Sequence, residues 1–149
     1  MRTPLFIAAA TAVFFCMHGQ AFANAVNTTI VNKDGQPAHL SKCWVYWTDT
    51  QWHLAPTFIN DQPTTLKAVK IRFVFKDAFG DVKQTNDVTD GGTYSTGVPI
   101  EDAWSVGIAH MPGTADVHTI DCSIVETMDM NGALWKSPDA DTPVKPASS

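Results

Sequence analysis

Aromatic side chains are concentrated in one short stretch of this sequence. Trp44 and Tyr46 stand two residues apart in a strand-like run and therefore share one of its faces, and Trp52 follows nearby. Exposed beside the polar side chains of Asp49 and Gln51, these rings would suit stacking on a sugar or anchoring a protein partner. The same rings would also suit a second apolar core face. The stretch therefore predicts either a recognition surface or an additional core layer.

Imidazole and thioether groups form a second candidate set. His110, His118, Met128 and Met130 fall in strands that we expect to be neighbours, and this combination of ligands suits copper. Met128 and Met130 also continue an apolar strand face, so core packing explains them as well. We expect no metal and no cofactor, and a periplasmic copper carrier is the alternative.

Nucleophile motifs are the third kind of chemistry to consider. The serines within 94–97 and 121–123 do not match the strained strand-to-helix turn that exposes a catalytic serine. The mature histidines carry no pattern that would mark one of them as its base. The sequence therefore predicts a binding or structural protein without catalytic activity, with a small hydrolase of unrecognised site as the competing class.

The amino terminus has the features of a secretory signal peptide. Arg2 is followed by an apolar run over 5–17, and Ala21-Phe22-Ala23 places small residues where signal peptidase requires them. The run is shorter than the ~20 apolar residues that span a bilayer. We expect cleavage after Ala23, a mature protein that begins at Asn24 without a membrane span, and a periplasmic or extracellular location.

Charge and cysteine content narrow the choice of partner. Without Arg2, nine basic residues remain against 15 acidic ones, a formal net charge of −6. No basic stripe is present, so we expect no nucleic-acid partner. A carbohydrate or another envelope or extracellular protein fits better. Cys43 and Cys122 remain after cleavage, and an oxidising compartment favours a disulfide bond between them.

The elements that must position these residues are short strands. Alternation of apolar and polar residues is clearest at 66–76, where Val69, Ile71, Phe73 and Phe75 share one face. About seven such strands, with turn residues between them, predict an all-β antiparallel sandwich over residues 24–136. The proline- and serine-containing segment 137–149 predicts a disordered tail. The other predicted strands lie at 26–31, 42–48, 81–85, 94–100, 103–109, 117–128 and 133–135, with a polar loop at 86–93.

Three segments also carry a resemblance. LKAVKIRFVF at 66–75 with DAFGDV at 77–82, TYSTGVPI at 93–100, and CSIVE at 122–126 leading to NGALW at 131–135 are similar to segments of secreted bacterial proteins of unknown function. Asn131 stands where those proteins usually have Asp. The resemblance covers about residues 66–135 and implies a bacterial source and an immunoglobulin-like or fibronectin-type-III-like sandwich. It implies no activity and no catalytic residues.

Overall fold

The computed structural model of the protein describes residues 24–48, 51–107 and 116–142. The predicted signal peptide, His110 and residues 143–149 lie outside this part of the chain. The described residues form ten strands and no α-helix, and therefore no helix there could cross a membrane. The strands are β1 (Asn24–Ala25), β2 (Asn27–Ile30), β3 (Ala38–Trp47), β4 (Gln51–Asn60), β5 (Leu66–Lys76), β6 (Val82–Tyr94), β7 (Pro99–Glu101), β8 (Trp104–Gly107), β9 (Thr119–Asp129) and β10 (Leu134–Lys136).

The strands form two five-stranded sheets. Sheet A has the order β1-β3-β4-β7, with β8 also paired to β4, and sheet B has the order β10-β9-β5-β6, with β2 also paired to β9. All pairs are antiparallel except β2 with β9. The chain changes sheets at Val26, between β1 and β2. The predicted antiparallel β-sandwich is therefore confirmed, with ten strands where about seven are expected.

The core between the sheets follows from strand alternation. On β5, Val69, Ile71, Phe73 and Phe75 are fully buried, as their two-residue spacing predicts. The two sheets are joined covalently, because the predicted disulfide bond links Cys43 of β3 to Cys122 of β9. Two aromatic contacts also join the sheets. Trp52 of β4 packs against Phe75 of β5, and Phe58 of β4 packs against Tyr94 of β6. The immunoglobulin-like relationship stays a prediction.

Two segments differ from their predicted structure. Residues 86–93, predicted as a loop, continue β6, which pairs with β5 up to Tyr94. β6 pairs with β5 alone among the described strands, and an edge position tolerates polar residues and glycine. Residues 51–60, for which no strand is predicted, form β4. The strand tolerates Pro56, which has no amide N–H to donate, because this residue lies between those that pair with β8 and those that pair with β7.

The predicted boundary at residue 136 and the predicted disorder from 137 onward are wrong for residues 137–142. Ser137 is buried, and its amide donates to the carbonyl of Val125 at 2.8 Å. The guanidinium of Arg72 donates to the carbonyls of Asp139 and Ala140, both at 2.9 Å. This C-terminal segment (residues 137–142) packs there because buried Arg72 has five donors, of which the Asp87 carboxylate takes two.

Removing the C-terminal segment should therefore destabilise the fold. A chain ending at Lys136 leaves two Arg72 donors without their protein acceptors, and we expect its free energy of unfolding to fall by about 2 kcal/mol. A chain ending at Thr142 keeps both acceptors and is the matched control. Urea unfolding of the two chains measures the difference, and equal stabilities would show that the segment does not support the sheet.

Candidate functional site

The parity of β3 decides which of its side chains reach solvent. Cys43 and Val45 point into the core, so Trp44 and Tyr46 point away from it on the outer face of sheet A. Trp44 is 57% exposed, the largest exposure of a strand aromatic side chain among the described residues. More than half of the Trp44 side chain therefore remains accessible and can contact a ligand.

Three rings form a row on this outer face, which we call the aromatic row. Trp44 and Tyr46 have ring centroids 4.9 Å apart at an interplanar angle of 40°. Tyr46 stacks on His53 of β4, with centroids 4.6 Å apart and planes 11° from parallel. The three rings are aligned because Trp44 and Tyr46 are two residues apart on β3, and Tyr46 pairs directly with His53 on the neighbouring strand.

Trp52, predicted to share this surface, is instead fully buried. Tyr46 pairs with His53, so the next pair, Trp47 with Trp52, points to the inner face. The Trp52 ring meets Phe75 of sheet B edge-on, with centroids 5.3 Å apart. The prediction that Trp52 belongs to a recognition surface is therefore wrong, and His53 takes its place in the row.

A groove of about 490 Å³ opens beside Trp44 on the same face. It lies where the connection between β7 and β8, Asp102 and Ala103, passes Pro56, on either side of which these two strands pair with β4. Its volume lies within the range of small-molecule sites. The groove is lined by Lys42, Trp44, Ala55, Pro56, Thr57, Glu101, Asp102 and Ala103.

Charged side chains of both signs border the groove. Lys42 and Glu101 are 4.0 Å apart, and their side chains are 72% and 76% exposed. An ion pair so open to water contributes little to stability, so both groups can exchange this contact for hydrogen bonds to a ligand. Asp102 adds a carboxyl group on the same side. The groove thus offers donors and acceptors next to an aromatic wall.

Asp102 also lies near sheet B, where the carboxyl group of Asp90 of β6 influences its pKa, and we call these two residues the acid pair. Burial raises the pKa of Asp102, the amide of Ala103 lowers it, and Asp90 raises it again. Asp90 is held from its other side by the hydroxyl of Tyr94, which donates to Oδ2 of Asp90. Burial, followed by Asp90, also raises the pKa of Tyr94.

A glycine makes room for this arrangement. A Cβ atom on Gly92 would lie 2.8 Å from two ring carbons and the hydroxyl oxygen of Tyr94. The ring has little freedom to move, because Tyr94 is 5% exposed and meets Phe58 edge-on with centroids 5.0 Å apart. Gly92 therefore allows the close approach that brings the Tyr94 hydroxyl to Asp90.

A serine and a histidine also meet on the outer face. Ser105 of β8 pairs with His53 across the strands, and Oγ of Ser105 lies 3.0 Å from Nδ1 of His53. Such a contact is the first requirement for an activated serine, but Ser105 lies in a regular strand rather than in a strained turn. The contact orients the imidazole within the aromatic row. Sequence patterns do not reveal it, because β4 and β8 are far apart in the chain.

Of the copper ligands in the alternative prediction, His118 is not brought near the two methionines. His118 precedes β9 and Met128 is near its far end, so the length of the strand, roughly 30 Å, separates them. Met130 is exposed beyond that end, and His110 lies outside the described residues. Within residues 24–48, 51–107 and 116–142, no group of three or more His, Cys, Asp or Glu side chains is placed to hold a metal ion.

The groove residues Lys42, Glu101 and Asp102 escape prediction from sequence. Lys42 lies on β3, whereas Glu101 ends β7 and Asp102 follows it, so their meeting depends on β7 pairing with β4. The available signal is Pro56, since a proline in an otherwise apolar strand indicates a place where the neighbouring strand is interrupted.

Comparisons with known proteins address the fold. No family model matches the chain, and no curated protein matches it. Among solved structures, the chain is similar to a hypothetical protein from Peptoclostridium difficile 630, determined by X-ray crystallography at 1.85 Å. The TM-score is 0.53 at 9% sequence identity, over 72% of this chain and 89% of that chain. At this identity the likeness shows the fold alone, so function is argued from the site.

Gly92 provides a test of the contact between Tyr94 and the acid pair. We expect Gly92→Ala to lower the free energy of unfolding by about 1–3 kcal/mol, because the added methyl group displaces a buried ring. Gly91→Ala is the matched control, since the nearest atom to its added carbon is 4.0 Å away. Urea unfolding of both variants measures the effect. Equal losses in the two would contradict the close approach.

Proposed function

We propose that this protein is an exported, non-catalytic module that binds a neutral saccharide on the outer face of sheet A. The observation that carries the proposal is the exposed aromatic row beside a groove with charged side chains on its border. Sugar rings present apolar C–H faces and a rim of hydroxyl groups. A binding site for them combines an aromatic wall with hydrogen-bonding side chains.

The aromatic row supplies the apolar part of this site. Trp44 stands at the groove, and Tyr46 and His53 continue the row across β3 and β4. Stacking a sugar on Trp44 removes apolar surface from water without moving the sheet, because the ring is already exposed and lies on a paired strand. A site on paired strands is preorganised, which reduces the entropic cost of binding.

The charges favour an uncharged polyhydroxy ligand. Lys42 can donate to hydroxyl oxygens, and Glu101 and Asp102 can accept from hydroxyl groups. An anionic glycan would meet two carboxyl groups in the groove and a mature chain with a formal net charge of −6. A strongly cationic one would meet Lys42. Neutral sugars satisfy both kinds of side chain without placing like charges in contact.

Export is part of the same proposal. The predicted signal peptide at 1–23 supports it, and so does the Cys43–Cys122 disulfide bond, since such bonds persist in oxidising compartments. We propose a periplasmic or extracellular location. Saccharides of the cell envelope and its surroundings are accessible there.

The test is binding to an array of neutral oligosaccharides, followed by titration calorimetry on any that bind. We expect Trp44→Ala to weaken binding at least tenfold, or about 1.4 kcal/mol, because the stacking surface is lost. Phe79→Ala is the matched control, since Phe79 is a 92% exposed aromatic residue on the β5–β6 turn, away from the groove. Its binding should equal that of the unaltered protein.

Two results would overturn the proposal. One is the absence of binding to every neutral saccharide on the array. The other is binding that Trp44→Ala leaves unchanged, which would place the ligand elsewhere. Capture of a defined protein partner that is abolished by Trp44→Ala, without saccharide binding, would assign the aromatic row to protein recognition instead.

A further inference from the structure

We propose that the saccharide site takes two consecutive sugar residues, one in the groove against Trp44 and the next over a polar cross-strand triplet of Tyr46, His53 and Ser105. The inference deepens the proposed function and rests on it, because it assigns the length of the ligand and the side chains that contact its second sugar. It follows from the pairing of β3, β4 and β8, which determines where each side chain lies on the outer face of sheet A.

The outer face of sheet A is built from cross-strand sets of side chains. Directly paired residues share a face of the sheet, and so do residues two apart along a strand. Three successive sets on this face are Lys42–Thr57–Glu101, Trp44–Ala55 and Tyr46–His53–Ser105. We call the first the charged triplet and the last the polar triplet. The middle set has two members because Ala55 lies between the residues of β4 that pair with β7 and those that pair with β8.

The middle set forms the first sugar position. Ala55 is the smallest outer-face side chain of β4, and the Trp44 indole lies beside it in the groove. The charged triplet closes one end of the groove, since Lys42 and Glu101 are 4.0 Å apart and Thr57 between them is only 6% exposed. Trp44 and the β7–β8 connection border the sides. A saccharide chain therefore leaves the groove along β4, toward the polar triplet.

The polar triplet presents hydrogen-bonding groups rather than a stacking face. The Tyr46 ring is stacked on the imidazole of His53, so one face of each ring is already covered. Ser105 is exposed, and its Oγ lies 3.0 Å from Nδ1 of His53. The second sugar position is consequently polar, whereas the first has the exposed indole of Trp44.

The contact between Ser105 and His53 offers one donor and one acceptor in either neutral tautomer of the imidazole. When the hydroxyl of Ser105 donates to Nδ1, Nε2 carries the proton and can donate, while Oγ can accept. When Nδ1 donates to Oγ, Nε2 can accept and the hydroxyl can donate. A pair of neighbouring sugar hydroxyl groups supplies the complementary acceptor and donor. The polar triplet thus suits a neutral sugar, as the groove does.

The dimensions of the face set the number of sugars. Ala55 and His53 are two residues apart on β4, so their side chains are roughly 7 Å apart, comparable to one sugar ring with its linkage. The paired part of the sheet ends beyond the polar triplet, because β3 ends at Trp47 and β4 begins at Gln51. There the amide of Thr48 donates to the carbonyl of Gln51 at 2.8 Å. Two sugars therefore rest on the sheet.

The test is titration calorimetry of the mature protein with neutral sugars of increasing length. The probes are glucose, mannose and N-acetylglucosamine, each with its β-1,4-linked di-, tri- and tetrasaccharide. We expect the affinity to rise roughly tenfold from monosaccharide to disaccharide, the gain of about two net hydrogen bonds, and by less than about threefold with each further sugar. Equal affinities for one sugar and for two would overturn the inference.

Ser105→Ala locates the second sugar position. This variant should lower the ratio of disaccharide to monosaccharide affinity about three- to tenfold, because only the second sugar contacts the polar triplet. Ser105→Thr keeps the hydroxyl group and should retain most of that ratio. Ser95→Ala is the matched control, because Ser95 is exposed and precedes Thr96, which bridges to Asn60 at the far end of β4.

The outcomes distinguish this inference from the proposed function. A Ser105→Ala effect that is equal for monosaccharides and disaccharides, or that Ser95→Ala reproduces, overturns the second sugar position and leaves binding at Trp44 standing. Absence of binding by all of these sugars overturns the proposed function and this inference together. Binding that begins only at the disaccharide and is lost in Ser105→Ala supports the inference.

Discussion

The disulfide bond between Cys43 and Cys122 is the constraint on which the rest of the structure depends. It joins β3 in sheet A to β9 in sheet B, across 79 residues of sequence. Closing a loop of that length stabilises a fold by roughly 4–5 kcal/mol in the chain-entropy treatment. Its second consequence is geometric. With Cys43 pointing inward, strand parity sends Trp44 and Tyr46 outward, and the aromatic row follows from that parity.

The groove depends on a different constraint, the interruption of sheet A at Pro56. A proline lacks the N–H that a neighbouring strand would need, and β7 and β8 pair with β4 only on either side of it. The connection between them is consequently not part of the sheet. From this connection and the end of β7, Asp102 and Glu101 border the groove. An apparent irregularity in β4 thus generates the candidate site.

Sequence reasoning predicts the local part of this account well. The alternation at 66–76 and the disulfide bond follow from the residue types present, and the structure confirms them. The outward direction of Trp44 and Tyr46 is also predictable. The direction of Trp52 is not predictable, because it depends on the register between β3 and β4, and no alternating pattern reveals that register. The ordered packing of residues 137–142 is not predicted, because their polar composition gives no sign that their backbone carbonyls accept hydrogen bonds from Arg72.

The candidate site is less predictable than the fold for the same reason. Its aromatic members are neighbours on β3, but its charged members come from β3 and from the β7–β8 connection, and the acid pair crosses from one sheet to the other. Contacts of this kind are set by long-range strand pairing, which residue spacing does not encode. Likewise, the distant structural neighbour shares the fold and carries no information about these side chains.

The alternation of side chains along the disulfide-linked strand β3 exposes Trp44, and the register of β3 with β4 places Trp52 in the core. Hydrogen exchange of the indole N–H groups, followed by NMR in the mature protein, tests it most directly. Trp44, at 57% exposure, should exchange within the dead time of the measurement, whereas Trp52, at 0%, should stay protected. Protection of Trp44, or rapid exchange of Trp52, would contradict the register and remove the aromatic row from the surface.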